Sequence, residues 1–444
     1  MKGGRHIFEK PIIGVVGLGY VGLPTALAFH KSGFDVVGLD INPNIIEDLS
    51  RGVSHLEDAS NDFTIPNGSS RWSLTSEYKE LAEKSDIFLV SVPTPTNSDK
   101  TPDLTFVRSA FDSIIGNLPR GAEKILVLES TVYPGVTEKV TMEAEIKYGV
   151  RESTDFFVAY SPERVSPGEV GKSAEDVARI VGSNDEEIGK YLAGIYGRIT
   201  GGGCKYVGAI KVAEAAKMVE NTQRDIDLAF VNELAKVLPK IGVNVNEVLQ
   251  AASTKWNFHR HDPGIGVGGH CIPVDPYYYI ELCNSVGEEG LLSKTAREIN
   301  EGMPYFAASE IRKMSSEGIG SVLVLGYSYK PEVGDVRETP VRFLIEQLVS
   351  EGVEVRLWDP LVSIDFVPDW VENYEDAYEA SMGVDAIILA TAHSKCIELD
   401  WERLGKGVGR RIVYDGRGKL SRFELNEIGW EYFGIGVRNE METE

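Results

Sequence analysis

The chain has 444 residues, a formal net charge of −23, 42% hydrophobic residues and 25% charged residues. That length supplies two or three domains with buried cores. The acidic balance argues against nucleic acid or an anionic membrane as a partner, since both need a basic face, and no stretch approaches the roughly 18–20 apolar residues of a membrane span.

The opening residues, Met1–His6, lead into a short apolar strand and a glycine loop, not into a secretory leader, so a cytoplasmic location is expected. The runs Ile12–Val16, Val36–Leu39, Ile87–Val92 and Ile125–Leu128 are rich in Val, Ile and Leu and alternate with helical stretches, and Phe156–Tyr160 is a further strand candidate. Such alternation predicts a doubly wound α/β sheet with buried parallel strands.

Between the first two runs stands Gly17-Leu18-Gly19-Tyr20-Val21-Gly22, a G-x-G-x-x-G turn between strand and helix. Gly17 permits the tight turn, Gly19 lets the backbone approach a pyrophosphate, and Gly22 allows helix to pack on strand. The N–H groups around Tyr20 and Val21 begin the helix and favour the phosphates. Asp40 ends the second run, 18 residues past Gly22, and would accept the ribose hydroxyls. Ile41 and Asn42 offer no cation for a 2′-phosphate, so NAD is the expected cofactor. Val92-Pro93-Thr94-Pro95 and Glu129-Ser130-Thr131 close two later strands and should border the nicotinamide. For Thr131, a turn hydroxyl bonded to its own backbone is the competing reading.

From Ile210 to Leu238 there is no glycine or proline, which predicts one long helix of roughly 40 Å ending at Pro239 and Gly242. Lys217 and Asn221 share a face of it at i, i+4 spacing, and together could stabilise negative charge on a substrate oxygen. Ile226, Leu228, Phe230, Val231 and Leu234 give the helix more apolar surface than one domain edge can cover, which predicts a homodimer.

Four cysteines, Cys204, Cys271, Cys283 and Cys396, are too sparse for a disulfide scaffold and are expected to be reduced. Cys271 lies in Gly266-Val267-Gly268-Gly269-His270-Cys271-Ile272-Pro273-Val274-Asp275. The glycines describe a sharply turning loop, which fits a buried inert thiol poorly. A metal site with His259, His261, His270 and Cys283 lacks any paired ligand spacing. A nucleophile on a loop that substrate can approach fits, with Asp275 and Lys217 as candidate partners. After Met303–Pro304 the pattern returns to strand–helix alternation, with strands at Val322–Leu325, Val353–Leu357, Ala386–Leu389 and Ile412–Tyr414.

The chain resembles the UDP-glucose/GDP-mannose dehydrogenase family over nearly its whole length. The motifs are GLGYVGLP from Gly17, VPTP from Val92, ESTVYPG from Glu129, SPERVSPG from Ser161, EAAKMVENTQRD from Glu214, GVGGHCIPVDP from Gly266, and Lys330 with DVRETP from Asp335. The resemblance implies two Rossmann-like doubly wound domains joined by a long central helix: an NAD-binding domain (1–205), a central dimerisation domain with the cysteine loop (206–303), and a UDP-sugar-binding domain (304–444). It implies oxidation of a sugar C6 alcohol to a carboxylate with two NAD. Cys271 would carry the thiohemiacetal and then the thioester, and Lys217 and Asn221 would stabilise oxyanions. Asp275 would serve proton transfer, Glu163 would act as a base, and Thr131 would position water or nicotinamide. Lys330, Gly268 and Arg260 would contact the UDP-sugar, and Arg337 the cofactor, Lys330 and Arg337 acting across the domain cleft.

In the glucose and mannose branches a Ser precedes the Cys and a Lys stands between Pro and Asp, where this chain has His270 and Val274. The GGHCIPVDPYY run and Thr254-Lys255-Trp256-Asn257-Phe258 are similar to the branch acting on UDP-N-acetylhexosamines. UDP-glucose is the alternative substrate. A two-electron dehydrogenase of the 3-hydroxyacid type is the alternative activity, although such enzymes lack the cysteine loop and the second α/β domain.

Overall fold

The computed structural model describes residues 8–56, 63–121, 123–164 and 177–438. The leader reading at Met1–His6 and the last four residues of the SPERVSPG motif, 165–168, lie outside the described residues. The chain forms two compact units, Met1–Glu220 with Tyr277–Glu288, and Asn221–Pro276 with Glu289–Glu444.

The first unit is built on eight strands: β1 (Ile12–Val16), β2 (Asp35–Leu39), β3 (Trp72–Thr75), β4 (Ile87–Val90), β5 (Lys124–Leu128), β6 (Phe156–Tyr160), β7 (Arg179–Ser183) and β8 (Cys204–Tyr206). Their order is β3-β2-β1-β4-β5-β6-β7-β8. The first six run parallel in the 3-2-1-4-5-6 order of a dinucleotide-binding sheet. β7 joins β6 antiparallel. Ile13, Val15, Ile87, Leu89, Ile125 and Val127 point into one core with Leu23, Ala26 and Phe29 of the helix Gly22–Lys31. β4 stops at Val90, before Pro93, whose missing N–H and constraint on Val92 cannot continue a central strand.

The second unit carries six parallel strands: β9 (Ser321–Leu325), β10 (Glu354–Trp358), β11 (Glu372–Asn373), β12 (Ala386–Leu389), β13 (Ile412–Asp415) and β14 (Glu431–Gly434). Their order, β11-β10-β9-β12-β13-β14, repeats the 3-2-1-4-5-6 arrangement. Alternate residues of β9 and β12 feed separate cores on the two faces of the sheet: Val322, Val324 and Ile388 on one, Leu323, Leu325 and Ile387 on the other.

The long helix runs Ile210–Val237, 28 residues, roughly 40 Å at ~1.5 Å per residue. A 3₁₀ turn at Leu238–Ile241 follows, capped by Gly242 at φ 79°. In the second unit, Val231 and Ala235 of this helix pack with Val245, Leu249, Met303 and Ile435.

Candidate active site

The glycine turn follows β1. Gly17 has a φ of 86°, and a Cβ there would meet the Ser91 carbonyl oxygen at 2.6 Å. A Cβ on Gly22 would collide with the Gly17 carbonyl, whereas nothing stands within 4 Å of the position beside Gly19. Tight turn, close helix packing and an open approach are thus all present. The helix beginning at Gly22 has no acidic residue in its first turn, so its positive end is not neutralised. Asp40 lies just past β2. One of its carboxylate oxygens accepts the Leu18 N–H at 2.9 Å and the other the Asn42 N–H at 2.9 Å. The carboxylate is fixed beside the turn and retains lone pairs for ribose hydroxyls. These residues fit an NAD dinucleotide.

The other strand ends border the same turn in the order of the sheet. Ser130 Oγ donates to the Val92 carbonyl at 2.6 Å and ties the ends of β4 and β5 together. Thr131 follows, half-buried. The Tyr278 hydroxyl donates to the Thr94 carbonyl at 3.0 Å and fixes the segment that contains Pro93.

Glu163 lies just beyond β6 and pairs with Arg179 Nη2. Nη1 of the same guanidinium, 3.4 Å away, reaches Glu129, whose carboxylate also accepts Tyr196 OH and Ser91 Oγ, each at 2.7 Å. One buried cation therefore serves two carboxylates. Burial pushes the Glu129 carboxyl up; Arg179 opposes this, and the negative Glu163 adds to it. Burial works against the Arg179 cation, but the two carboxylates more than offset it and leave its pKa raised. Arg164 forks onto Glu220 through Nε, at 3.1 Å, and Nη2.

Lys217 is almost fully buried on the long helix. Three residues earlier, Glu214 accepts the Gly135 N–H at 2.6 Å, the Thr137 N–H at 2.9 Å and the Thr137 hydroxyl at 2.7 Å. It satisfies the start of the helix Val136–Tyr148 and anchors the turn that carries Lys217.

In the second unit, Cys271 is half-buried in the turn entering the helix Asp275–Ser285. Its carbonyl accepts the Val274 N–H at 3.1 Å and the Asp275 N–H at 2.8 Å. Asp275 is 2% exposed, and its carboxylate accepts from Asn221 Nδ2. The structure thus brings Asn221, Cys271 and Asp275 into one local arrangement. The glycines before Cys271 have a further physical use: they allow contact with the segment after β9. A Cβ on Gly268 would meet Tyr329 Cβ at 2.6 Å and the Glu338 carbonyl oxygen at 2.7 Å; one on Gly269, at φ 89°, would meet the Tyr329 ring at 2.8 Å. The Gly269 N–H donates to the Arg337 carbonyl at 3.1 Å.

Lys330 is half-buried in that same segment, and the Arg337 side chain forks onto Asp335. Arg260 Nε pairs with Asp262 at 2.8 Å, and Lys419 bridges to Asp262 at 2.9 Å, so Arg260 belongs to a surface ion cluster. All four cysteines are free, and among the described residues no group of three or more His, Cys, Asp or Glu is arranged to hold a metal ion.

Models of the UDP-glucose/GDP-mannose dehydrogenase family match the chain in three parts: the NAD binding domain over residues 12–200, the central domain over 211–302, and the UDP binding domain over 323–422. The chain belongs to this family. It is 36% identical over 434 residues to the UDP-N-acetyl-D-mannosamine dehydrogenase of Pyrococcus horikoshii, covering 96% of this chain and 99% of that one. It is 37% identical over 414 residues to the UDP-N-acetyl-D-glucosamine 6-dehydrogenase of Pseudomonas aeruginosa, covering 91% and 96%. The solved structure of the Pyrococcus horikoshii UDP-D-ManNAc dehydrogenase superposes with a TM-score of 0.86 at 34% identity, covering 96% and 99%. The protein is accordingly an NAD-dependent oxidoreductase.

Within this family frame, some functional neighbours do not stand out in sequence patterns. Arg179 sits at the start of an antiparallel strand with no motif around it. Glu214 opens the EAAKMVENTQRD motif, but nothing in that run shows that it caps the helix Val136–Tyr148.

Proposed function

We propose that this protein oxidises C6 of a UDP-N-acetylhexosamine to the uronic acid, using two NAD per sugar. What carries the reading is Cys271, held in a glycine-shaped turn beside the Asn221–Asp275 pair, in a chain whose relatives include dehydrogenases named for UDP-N-acetyl sugars.

Bound NAD supplies the hydride acceptor in both oxidations. The first oxidation removes a hydride from C6 and a proton from its hydroxyl, giving an aldehyde. The Cys271 sulfur bonds to the aldehyde carbon while the carbonyl oxygen takes up a proton in exchange for the one the thiol loses, giving a thiohemiacetal that cannot diffuse away. Loss of a second hydride and the hydroxyl proton gives a thioester. Water attacks it, the C–S bond breaks, and the carboxylate and the free thiol are released. Lys217 and Asn221 stabilise negative charge on the C6 oxygen. Asp275, fixed by Asn221, handles the proton of the attacking water. Glu163, aimed by Arg179, serves as a base in the first unit. Lys330 contacts the UDP-sugar, and the protein works in the cytoplasm as a homodimer.

The test is NADH stoichiometry with UDP-N-acetylglucosamine, UDP-N-acetylgalactosamine and UDP-N-acetylmannosamine. One of them should give two NADH per sugar with no aldehyde trapped by hydrazine. Cys271→Ser should lose at least about a thousandfold in overall turnover, because a serine hydroxyl is a far poorer nucleophile near neutral pH. One NADH per sugar from the wild type, or full activity in the serine variant, would remove the covalent step.

A further inference from the structure

The second sheet carries its own copy of the frame that surrounds Asp40. In the first unit, Gly17 follows β1 with a positive φ, and Asp40, after β2, accepts the next N–H, that of Leu18. In the second, Gly326 follows β9 at φ 87°, and Asp359, after β10, accepts the N–H groups of Tyr327 at 2.6 Å and Ser328 at 3.1 Å. There the Asp359 side chain is only 2% exposed, and His393, itself 1% exposed, stands against it with Nε2 at 3.2 Å. An imidazole thus stands against the acid that would receive a ribose in a dinucleotide sheet.

The imidazole also grips the loop after β9. Its Nδ1 accepts the Glu332 N–H at 3.0 Å. A nitrogen that accepts a hydrogen bond bears no proton, so this ring is neutral and carries its proton on Nε2. Nε2 lies 3.0 Å from Ser328 Oγ, and Ser328 Oγ donates to the Lys330 carbonyl at 2.9 Å. The donor directions are consistent: Nε2–H to Ser328 Oγ, then Oγ–H to the Lys330 carbonyl. Asp359 needs no imidazolium, since Leu361 and Val362 also donate N–H groups to it at 2.8 and 3.0 Å. Glu332 has a φ of 62°, a left-handed conformation that is unfavourable for a non-glycine residue. Two contacts hold it there: the His393 bond to its N–H, and the Ser394 N–H donated to its carboxylate at 2.6 Å.

We propose that His393 is the positioning residue of the UDP-sugar loop: its neutral ring clamps residues 328–332 and so places Lys330 for the nucleotide. The loops after β9 and β12 flank the point where strand order reverses, the place where open α/β sheets take their ligands. The matching UDP binding domain spans this region. The proposal rests on the UDP-sugar reading above and adds the residue that sets nucleotide affinity.

The experiment compares His393→Leu with His393→Asn. A leucine supplies no acceptor, whereas asparagine places its side-chain oxygen near the position of Nδ1 and can still accept the Glu332 N–H. Calorimetry with UDP should show at least about tenfold weaker binding in the leucine variant and a change under about threefold in the asparagine variant. The KM for UDP-sugar should follow, while the KM for NAD and kcat at saturation change by less than about threefold. Should the leucine variant not fold, His393→Gln takes its place, because its carboxamide reaches the Nε2 position and leaves Glu332 unmatched. Equal weakening by asparagine and leucine or glutamine would show that the ring only fills space and would overturn the proposal. So would unchanged UDP binding in a folded leucine variant, with the UDP-sugar reading intact. A wild type that binds no UDP would overturn both.

Discussion

At Asp40 the carboxylate is held by the Leu18 and Asn42 N–H groups and cannot swing away from a phosphate on the adenosine ribose. A unit-charge pair at ~4 Å and an effective dielectric of ~20 costs about 4 kcal/mol. A third of that is tenfold in affinity. NAD should therefore be preferred over NADP by at least about tenfold in kcat/KM. Asp40→Asn should narrow the gap while weakening NAD itself, through loss of a charged acceptor. Equal kcat/KM for the two cofactors in the wild type would mean that this carboxylate does not face the ribose. At Arg179 the question is stability. Replacing it by Met leaves Glu129 and Glu163 without their shared cation, and removing one partner of a buried pair costs about 3–5 kcal/mol. Adding Glu129→Gln removes one of the stranded charges, so the double variant should recover at least about 1 kcal/mol in urea unfolding. A double variant no more stable than Arg179→Met would show that the two carboxylates do not depend on one cation.

The cysteine loop and the two sheets show what short elements reveal. Gly269→Ala combines a φ of 89° with a Cβ 2.8 Å from the Tyr329 ring, and should cost about 3 kcal/mol or more. Gly203→Ala, at φ 73° with nothing within 4 Å, carries only the backbone cost of about 1–2 kcal/mol. Equal losses of thermal stability would mean that the Tyr329 contact does not shape the loop. The glycines were legible in sequence, but their neighbour was not: Tyr329 lies 60 residues downstream of Gly269, and no local pattern links them. The same limit explains the strands. β1, β4, β5, β6, β9, β12 and β13 are apolar runs buried in sheet centres and stand out by composition. The edge strands β3, β8, β11 and β14 are two to four residues long with polar members, and β7 begins with Arg179, so none forms a continuous apolar run. The motif residues of the site were legible because each needs a particular residue type. The residues that hold them, Arg179, Glu214 and His393, act through contacts distant in sequence.

For the whole molecule, the long helix decides how much apolar surface the protein leaves to a partner. Of the apolar residues that the sequence offers for an interface, Val231 is 3% exposed and lies in the second unit's own core, with Leu234 packed against it. Phe230 is 59% exposed. Val212, Val219 and Val237 are each about half exposed on the same helix. The spacings 212–219, 219–230 and 230–237 are 7, 11 and 7 residues, all close to whole multiples of the ~3.6-residue turn, so the four share one stripe. A continuous exposed stripe on the longest helix is surface that a second copy can cover by the same stripe, as twofold symmetry requires. We therefore expect a homodimer at micromolar concentration by light scattering. Phe230→Glu puts a charge into that stripe and should weaken the dimer at least about a hundredfold, because burying an unpaired carboxylate costs several kcal/mol. In the monomer the same glutamate faces water, so the variant should stay folded. A monomeric wild type, or a Phe230→Glu dimer as tight as the wild type, would place the interface elsewhere or remove it.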